Sequence, residues 1–141
     1  MRTVRIRRLD LRLGEAVVPD GGPTIEVVDV LLDGRTPDEL LARLLTENPR
    51  DERIGVSPQG LLAALRGERA EDDGRVAIRE CTCTCEGCDP VRVRIRAGTD
   101  EVVWDDLTEG CLDDPVPEIA FRFDRAEHDR AIAALVADLE G

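Results

Sequence analysis

Apolar and polar residues alternate with a period of two along much of this chain, and the period lengthens to that of a helix in three stretches. Val4 and Ile6 alternate with Arg5 and Arg7, and then Leu9, Leu11 and Leu13 alternate with Arg8, Asp10 and Arg12. Both segments carry the period of a strand. The apolar parity flips at Arg7-Arg8, which calls for a bulge or a break between two strands. Pro19-Asp20-Gly21-Gly22-Pro23 reads as a loop. Thr24 to Leu32, rich in Val and Ile, reads as the next strand and ends at the turn Asp33-Gly34.

Thr36-Pro37-Asp38-Glu39 is a helix start: Thr36 can cap, Pro37 suits the first helical position and Glu39 completes a capping box. Leu40, Leu41, Leu44 and Leu45 make one apolar face running to about Asn48, and Pro49 stops it. A shorter helix begins at Ser57-Pro58, carries Leu61, Leu62 and Leu65 and ends near Gly67. The charged stretch Arg66 to Gly74 reads as a loop.

Arg75 to Cys85, Val91 to Ala97 and Glu101 to Asp105 read as strands, the last two joined as a hairpin over Gly98-Thr99-Asp100. Pairing Ile95 with Val102 and Val93 with Trp104 puts both apolar sets on one face. It also sets Arg96 against Glu101 and Arg92 against Asp105 on the other face. Asp106 to Pro117 reads as an acidic loop and Glu118 to Phe123 as a last strand. Asp124 then caps a helix whose buried stripe is Ile132, Leu135, Val136 and Leu139. The order β-β-α-α-β-β-β-β-α predicts an α+β fold, a mainly antiparallel sheet with helices packed on one face. At 141 residues the whole chain, 1–141, fits a single domain.

Composition narrows the function. Apolar residues are 42% of the chain, but with two Phe, one Trp and no Tyr the core must be aliphatic. A net charge of −12 disfavours nucleic acid, whose phosphates would be repelled, and suits a basic protein partner. No apolar run reaches membrane-spanning length, and the first dozen residues lack the apolar segment of a signal peptide, so a cytoplasmic protein is expected. Lysine is absent and arginine carries all the permanent positive charge. A high-GC coding bias with a halophilic contribution accounts for that more simply than any binding mode.

The chemistry is concentrated in cysteine. Four of the five cysteines fall within Cys81-Thr82-Cys83-Thr84-Cys85-Glu86-Gly87-Cys88, and Cys111 lies downstream in the acidic loop. An odd number of cysteines in a reducing compartment favours thiols or metal over a disulfide framework. Cys85-Glu86-Gly87-Cys88 has the spacing of a zinc knuckle, in which a glycine lets both sulfurs face one ion. Cys83 and Cys111 complete a tetrahedral set of Cys83, Cys85, Cys88 and Cys111, with Cys81 as the alternate ligand. Two other readings stay open. Cys81, Cys83 and Cys85 share one face of a strand and can pack as small hydrophobes. Which face that is depends on whether a bulge separates them from Val76 and Ile78, because without one they lie with Ala77 and Arg79. The third reading is redox or Cu(I) chemistry. It is weakened because the Cys-x-x-Cys leads into Asp89-Pro90 and a strand rather than a helix, and Glu86 and Asp89 would raise a thiol pKa.

Elsewhere the chemistry is thin. His128 is the sole histidine; it reads first as a half-covered residue at the edge of the last helix, and less readily as a fourth zinc ligand or a base. No hydroxyl has a His and Asp arrangement around it. Asp105, Asp106, Glu109, Asp113 and Asp114 flank Cys111 without calcium-loop spacing and read as solvated charge or a landing surface for a basic partner. Gly21-Gly22 forms no phosphate-binding pattern.

Cys83, Cys85, Cys88, Pro90, Arg94-Ile95, Val102-Val103-Trp104 and Phe123-Asp124-Arg125-Ala126 together resemble a group of uncharacterised actinobacterial proteins. In that group a Cys-x-Cys turn precedes an Arg-Ile strand, a Val-x-Trp strand, an acidic loop and a Phe-Asp-Arg-Ala helix start. The resemblance covers roughly residues 75 to 135 and implies a shared fold but no activity. This chain departs in its shorter turn and in Cys81 and Cys111. The leading expectation is therefore a non-enzymatic, acidic binding protein with a structural zinc site. The alternative is a thiol- or metal-dependent enzyme or metal carrier using Cys81, Cys83, Cys85 and Cys88.

Overall fold

The break foreseen at Arg7-Arg8 organises the architecture. A computed structural model of the chain describes residues 2–17, 22–46, 53–67, 74–81, 90–110, 112, 114–116 and 119–141. Strand β1 (Arg2–Ile6) stops at Arg7, and β2 (Leu9–Ala16) continues in a different sheet. Asp33 holds the corner: its Oδ1 accepts the backbone N–H groups of Arg7 at 3.0 Å and Arg8 at 2.8 Å, and its own N–H donates to the Arg8 carbonyl at 2.9 Å. Ile6 and Leu9, of opposite parity, are therefore both buried.

Strand β3 (Ile25–Leu32) pairs antiparallel with β2, Leu9 against Leu32 and Leu11 against Val30. Asp33 and Gly34 have φ of 51° and 82°, and Leu32 and Arg35 exchange hydrogen bonds across them. Positive φ at both central residues is the signature of a tight turn that an Asp-Gly pair favours. Helix α1 (Pro37–Leu45) follows with the expected capping box, the Thr36 side chain accepting from Glu39 N–H and the Glu39 side chain from Thr36 N–H. Leu40 and Leu41 enter the core. Helix α2 (Pro58–Leu65) starts at Ser57, whose hydroxyl accepts from Gly60 N–H, and buries Leu61 and Leu65. Helix α1 ends at Leu45, short of the expected end at about Asn48, because Thr46 turns into the left-handed region at φ 58°. The expected stop at Pro49 and the strand stretch from Thr82 to Cys85 lie outside the described residues.

The larger sheet has the order β1, β9 (Ile119–Asp124), β7 (Glu101–Glu109), β6 (Val91–Ala97), β5 (Val76–Cys81), β4 (Arg53–Ile54), with β8 (Asp114–Pro115) beside β7. Every ladder is antiparallel except β1 with β9. The fold is α+β, as expected; short strand β8 falls where a loop was expected, and β4 falls in a stretch between the two helices for which the sequence suggested no element. Just past β4, Val56 exchanges hydrogen bonds with Val28 of β3 at 2.8 and 3.0 Å. A side chain at Gly55 would run into the Val28 carbonyl, so glycine is required there. The strands thus form a circuit: the two sheets join through Val56 on one side and through the Arg7-Arg8 corner on the other.

Three sequence expectations need correction. The β6–β7 hairpin pairs Ile95 with Trp104 and Ala97 with Val102, a register two residues away from the one expected. Gly98 N–H bonds Glu101 C=O at 2.8 Å, leaving Thr99-Asp100 as a two-residue loop. A shift of two keeps every side chain on its face, so the apolar set is right while the charge pairs change. Arg96 meets Asp105 at 2.9 Å, and Glu101 meets Arg122 at 3.6 Å. Second, β7 does not end at Asp105 but bulges at Asp106, φ 56°, and continues to Glu109 with Leu107 buried. Third, the buried residues of α3 (Arg125–Glu140) are His128, Ala131 and Leu135, with Ile132, Val136 and Leu139 only half-buried. Asp124 occupies the N-cap position without a capping bond, because its carboxylate takes Arg5 at 3.1 Å.

Helix α3 also closes the free edge of β2. Glu127 Oε2 accepts Leu9 N–H at 2.8 Å, and Arg130 donates to Leu9 C=O at 2.8 Å, so the pair stands in for a neighbouring strand. The hydrogen bond from Arg130 lowers the Glu127 pKa to about 2, outweighing partial burial, with the Leu9 N–H adding to it.

The Asp33 corner makes a direct prediction. Asp33→Ala should lower stability by about 1–2 kcal/mol in urea unfolding, through two lost acceptor bonds at an exposed site and an unfavourable positive φ. Asp33→Asn, which keeps an acceptor and tolerates that φ, should recover most of the loss.

Candidate functional site

The end of the large sheet where β5 finishes, β6 begins and β7 finishes gathers the flanks of both cysteine segments. Cys81 is the last residue of β5, half-buried and with a free thiol, opposite Arg53 of β4. Pro90 and Val91 open β6 beside it. Val91 pairs with Glu109, and Gly110 N–H bonds Pro90 C=O at 2.9 Å. Glu109 in turn pairs with Asp114 of β8, so both flanks of position 111 are anchored at this same end. Cys83, Cys85, Cys88 and Cys111 themselves lie outside the described residues, as does Asp113. Cys81 is thus the one expected ligand the structure places. No group of three or more His, Cys, Asp and Glu side chains fit to hold a metal occurs among the described residues.

The face of Cys81 was undecidable from sequence because it turned on a bulge, and the bulge exists. The β5–β6 register shifts between Ala77 and Arg79: Val76 pairs with Val93, whereas Arg79 pairs with Val91. Val91 and Val93 are fully buried on one face. Arg79 therefore turns inward beside Val76 and Ile78, and Cys81, two residues on, shares its side.

That inward turn exposes what the sequence did not show: a buried ionic network at the sheet end that carries Cys81 and the flanks of the other cysteines, the cysteine platform. Arg79, Val91 and Glu109 form a row across β5, β6 and β7. Asp38, at the start of α1 and buried, accepts Arg53 Nη1 on Oδ1 at 2.6 Å and Arg79 Nε on Oδ2 at 2.9 Å. Arg53 Nη1 also donates to Glu109 Oε1 at 2.7 Å. Arg79 Nη1 donates to Asp29 Oδ1 at 3.0 Å, and Nη2 to the Arg53 carbonyl at 2.6 Å. Two guanidinium groups thus bind three carboxylates and one backbone carbonyl. Arg79 serves acceptors on α1, β3 and β4 through three different nitrogens of one planar group, a spread that the single nitrogen of a lysine would not reproduce. In sequence Asp38 looks like an ordinary first-turn acid, and Arg53 and Arg79 are two of 19 arginines, so no local signal marks them.

His128 is buried rather than half-covered. Trp104 Nε1–H donates to its Nε2 at 3.2 Å, and Phe123 packs edge-on at a centroid distance of 5.6 Å. It sits in the aromatic core beneath α3 and touches none of the cysteine flanks described. Burial pushes its pKa down to about 4; Asp129 opposes the shift and Arg125 adds to it.

No protein-family model matches the chain, and neither the curated proteins nor the solved structures contain a match to it. No helix among the described residues is long and apolar enough to cross a membrane.

Two predictions follow from these buried groups. Asp38→Ala leaves two buried guanidinium groups without their shared acceptor and should destabilise by about 3–5 kcal/mol. Asp29→Ala, at the half-exposed rim, should lose less than about 1 kcal/mol; urea unfolding of both variants tests the contrast. The second concerns acid. The folded-state pKa of His128 lies below the unfolded value of 6.5, so the unfolded chain takes up the proton first. Stability from this residue is complete above about pH 6.5 and falls as pH drops toward 4, by at most about 3 kcal/mol. Urea midpoints between pH 7 and 4.5 should show this slope, and His128→Gln should flatten it. Glu127 loses its contribution only below pH 4.5, outside that window.

Proposed function

We propose that the chain is a non-enzymatic, acidic binding protein of the cytoplasm. In this reading Cys83, Cys85, Cys88 and Cys111 hold one structural zinc ion, with Cys81 as the alternate ligand. Its partner is a basic protein, engaged through acidic surface as an immunity or antitoxin-like protein would engage its target. The observation that carries the zinc reading is the Gly110 to Pro90 hydrogen bond. It brings the root of the Cys111 segment against the root of the segment that carries Cys83, Cys85 and Cys88. The two cysteine segments are therefore rooted side by side, which supports a shared ion. Four thiolates would close the coordination sphere, which suits a staple and leaves no position for a metal-bound water. The partner reading rests on the net charge of −12 and on exposed Asp114 near the same sheet end.

Metal content by mass spectrometry on protein purified under reducing conditions without chelator, beside a thiol count, tests the site. About one zinc per chain is expected, with four thiols protected until chelator is added. Cys88→Ser and Cys111→Ser should lose the ion, and Cys81→Ser should keep it. A metal-free protein with five freely titrating thiols would sink the zinc reading. Retention of metal by Cys111→Ser with loss in Cys81→Ser would make Cys81 the fourth ligand. Charge reversal at Asp114 and its acidic neighbours should weaken capture of a basic partner, and unchanged capture would remove the partner reading.

A further inference from the structure

At the opposite end of β6, about six residues or roughly 20 Å from the cysteine platform, α2, α3 and the β6 terminus line an open groove of about 640 Å³. Its floor is aliphatic: Leu65, Ile95, Ile132 and Val136. Ile132 and Val136 are the half-buried residues of α3 whose full burial the sequence led one to expect, and the groove is the reason they stay open. The volume and the apolar lining with a few polar groups at the rim are those of a small-molecule site.

The rim chooses the ligand. Arg66, Arg125 and Asp129 stand there, a net positive rim on a chain of net charge −12. Arg125 is already committed, donating to Gly98 C=O at 2.7 Å and facing Asp129 at 3.7 Å. Arg66 caps the end of α2 and is exposed, and its guanidinium has no partner among the described residues. We infer that this groove binds a linear aliphatic carboxylate, with the chain along Leu65, Ile132 and Val136 and the carboxylate on Arg66. The floor offers no aromatic ring and no hydrogen-bonding side chain, which favours a saturated chain over a polar heterocycle. Asp129, already facing Arg125 at 3.7 Å, disfavours a carboxylate beside itself and leaves Arg66 as the anion's place on the rim.

Isothermal titration of the full chain with hexanoate, octanoate and decanoate below their micellar concentrations tests this, with octanol as the uncharged control. Affinity should rise about fourfold per added methylene while the chain stays inside the groove. Octanoate should bind about two- to fivefold more tightly than octanol, and Arg66→Ala should erase that difference. Ala133 is exposed on the groove wall, and Ala133→Glu should abolish binding with the urea midpoint unchanged. Amide chemical shifts of the unaltered chain supply a readout that needs no variant: decanoate should move the groove residues and leave Val91 and Glu109 in place. Absence of heat and of shifts with decanoate, or undiminished binding by a folded Ala133→Glu, would overturn the site. Octanol binding as tightly as octanoate would overturn the carboxylate assignment.

Discussion

The buried carboxylate of Asp38 is the constraint on which most of the fold converges. A lone charge in that position would be unfavourable by several kcal/mol, and its two oxygens are satisfied by guanidinium groups from β4 and β5. Strand β4 is only two residues long and has one ladder, to β5. Its place is therefore set largely by Arg53, whose side chain is fully buried. Arg79 reinforces it by donating to the Arg53 carbonyl. Once β4 is placed, Gly55 and Val56 are carried against Val28, and the small sheet is joined to the large one. The same Arg53 reaches Glu109 and so fixes the end of β7. Removing the acceptor thus undoes contacts on α1, β4, β5 and β7 together, which is why the network acts as a unit rather than as separate ion pairs.

The other side of the circuit is closed by weaker but more numerous polar contacts. A free strand edge invites pairing with another chain. At Leu9 the fold answers with Glu127 and Arg130 from α3, and at Arg7-Arg8 with the carboxylate of Asp33. All three are side-chain groups bonded to backbone, so they satisfy the groups of a strand that must change sheets without extending the ladder. Water can replace the exposed Asp33 bonds at Arg7-Arg8, whereas the bonds at Leu9 are partly buried and nothing can replace Asp38 in the interior.

Legibility in the sequence followed the range of each interaction. The Thr36 capping box, the Asp33-Gly34 turn and the Ser57 cap are made within a few residues, and the residue types alone specify them. The parity flip at Arg7-Arg8 was readable because period two allows no other explanation than a bulge or a break. The β6–β7 hairpin was half readable: the faces followed from alternation, but a two-residue slip conserves faces and so cannot be detected by them. The register shift near Arg79 was open in the sequence, as the parity of Val76 and Ile78 against the cysteines, but alternation alone could not decide it. The Asp106 bulge was not foreseen because it follows from packing against partners distant in sequence. The ionic network is the extreme case. Asp38 is 15 residues from Arg53 and 41 from Arg79, and Arg53 is 56 from Glu109. In a chain whose every permanent cation is arginine, nothing distinguishes the two that are buried. His128 failed for a related reason: its half-exposed reading came from helical position, and what buries it is Trp104 on β7 and Phe123 on β9.

The two proposed sites bear on each other through charge rather than contact. Free thiols are largely neutral near pH 7, but four thiolates around a divalent ion carry a net formal charge of about −2. Filling the cysteine platform would therefore deepen the field of a chain already at −12. The cations beneath the platform cannot offset it, because Arg53 and Arg79 are already bound to Asp38, Asp29 and Glu109. A basic partner would thus meet its strongest attraction at the sheet end where the proposed metal would sit, and the attraction would weaken steeply with salt. The groove at the far end of β6 lies beyond a Debye length at physiological ionic strength, which is about 8 Å. An anion proposed on its Arg66 rim would not compete with the acidic end. If both proposals hold, a single strand would separate two surfaces of opposite preference, and screening would let one small acidic chain keep both.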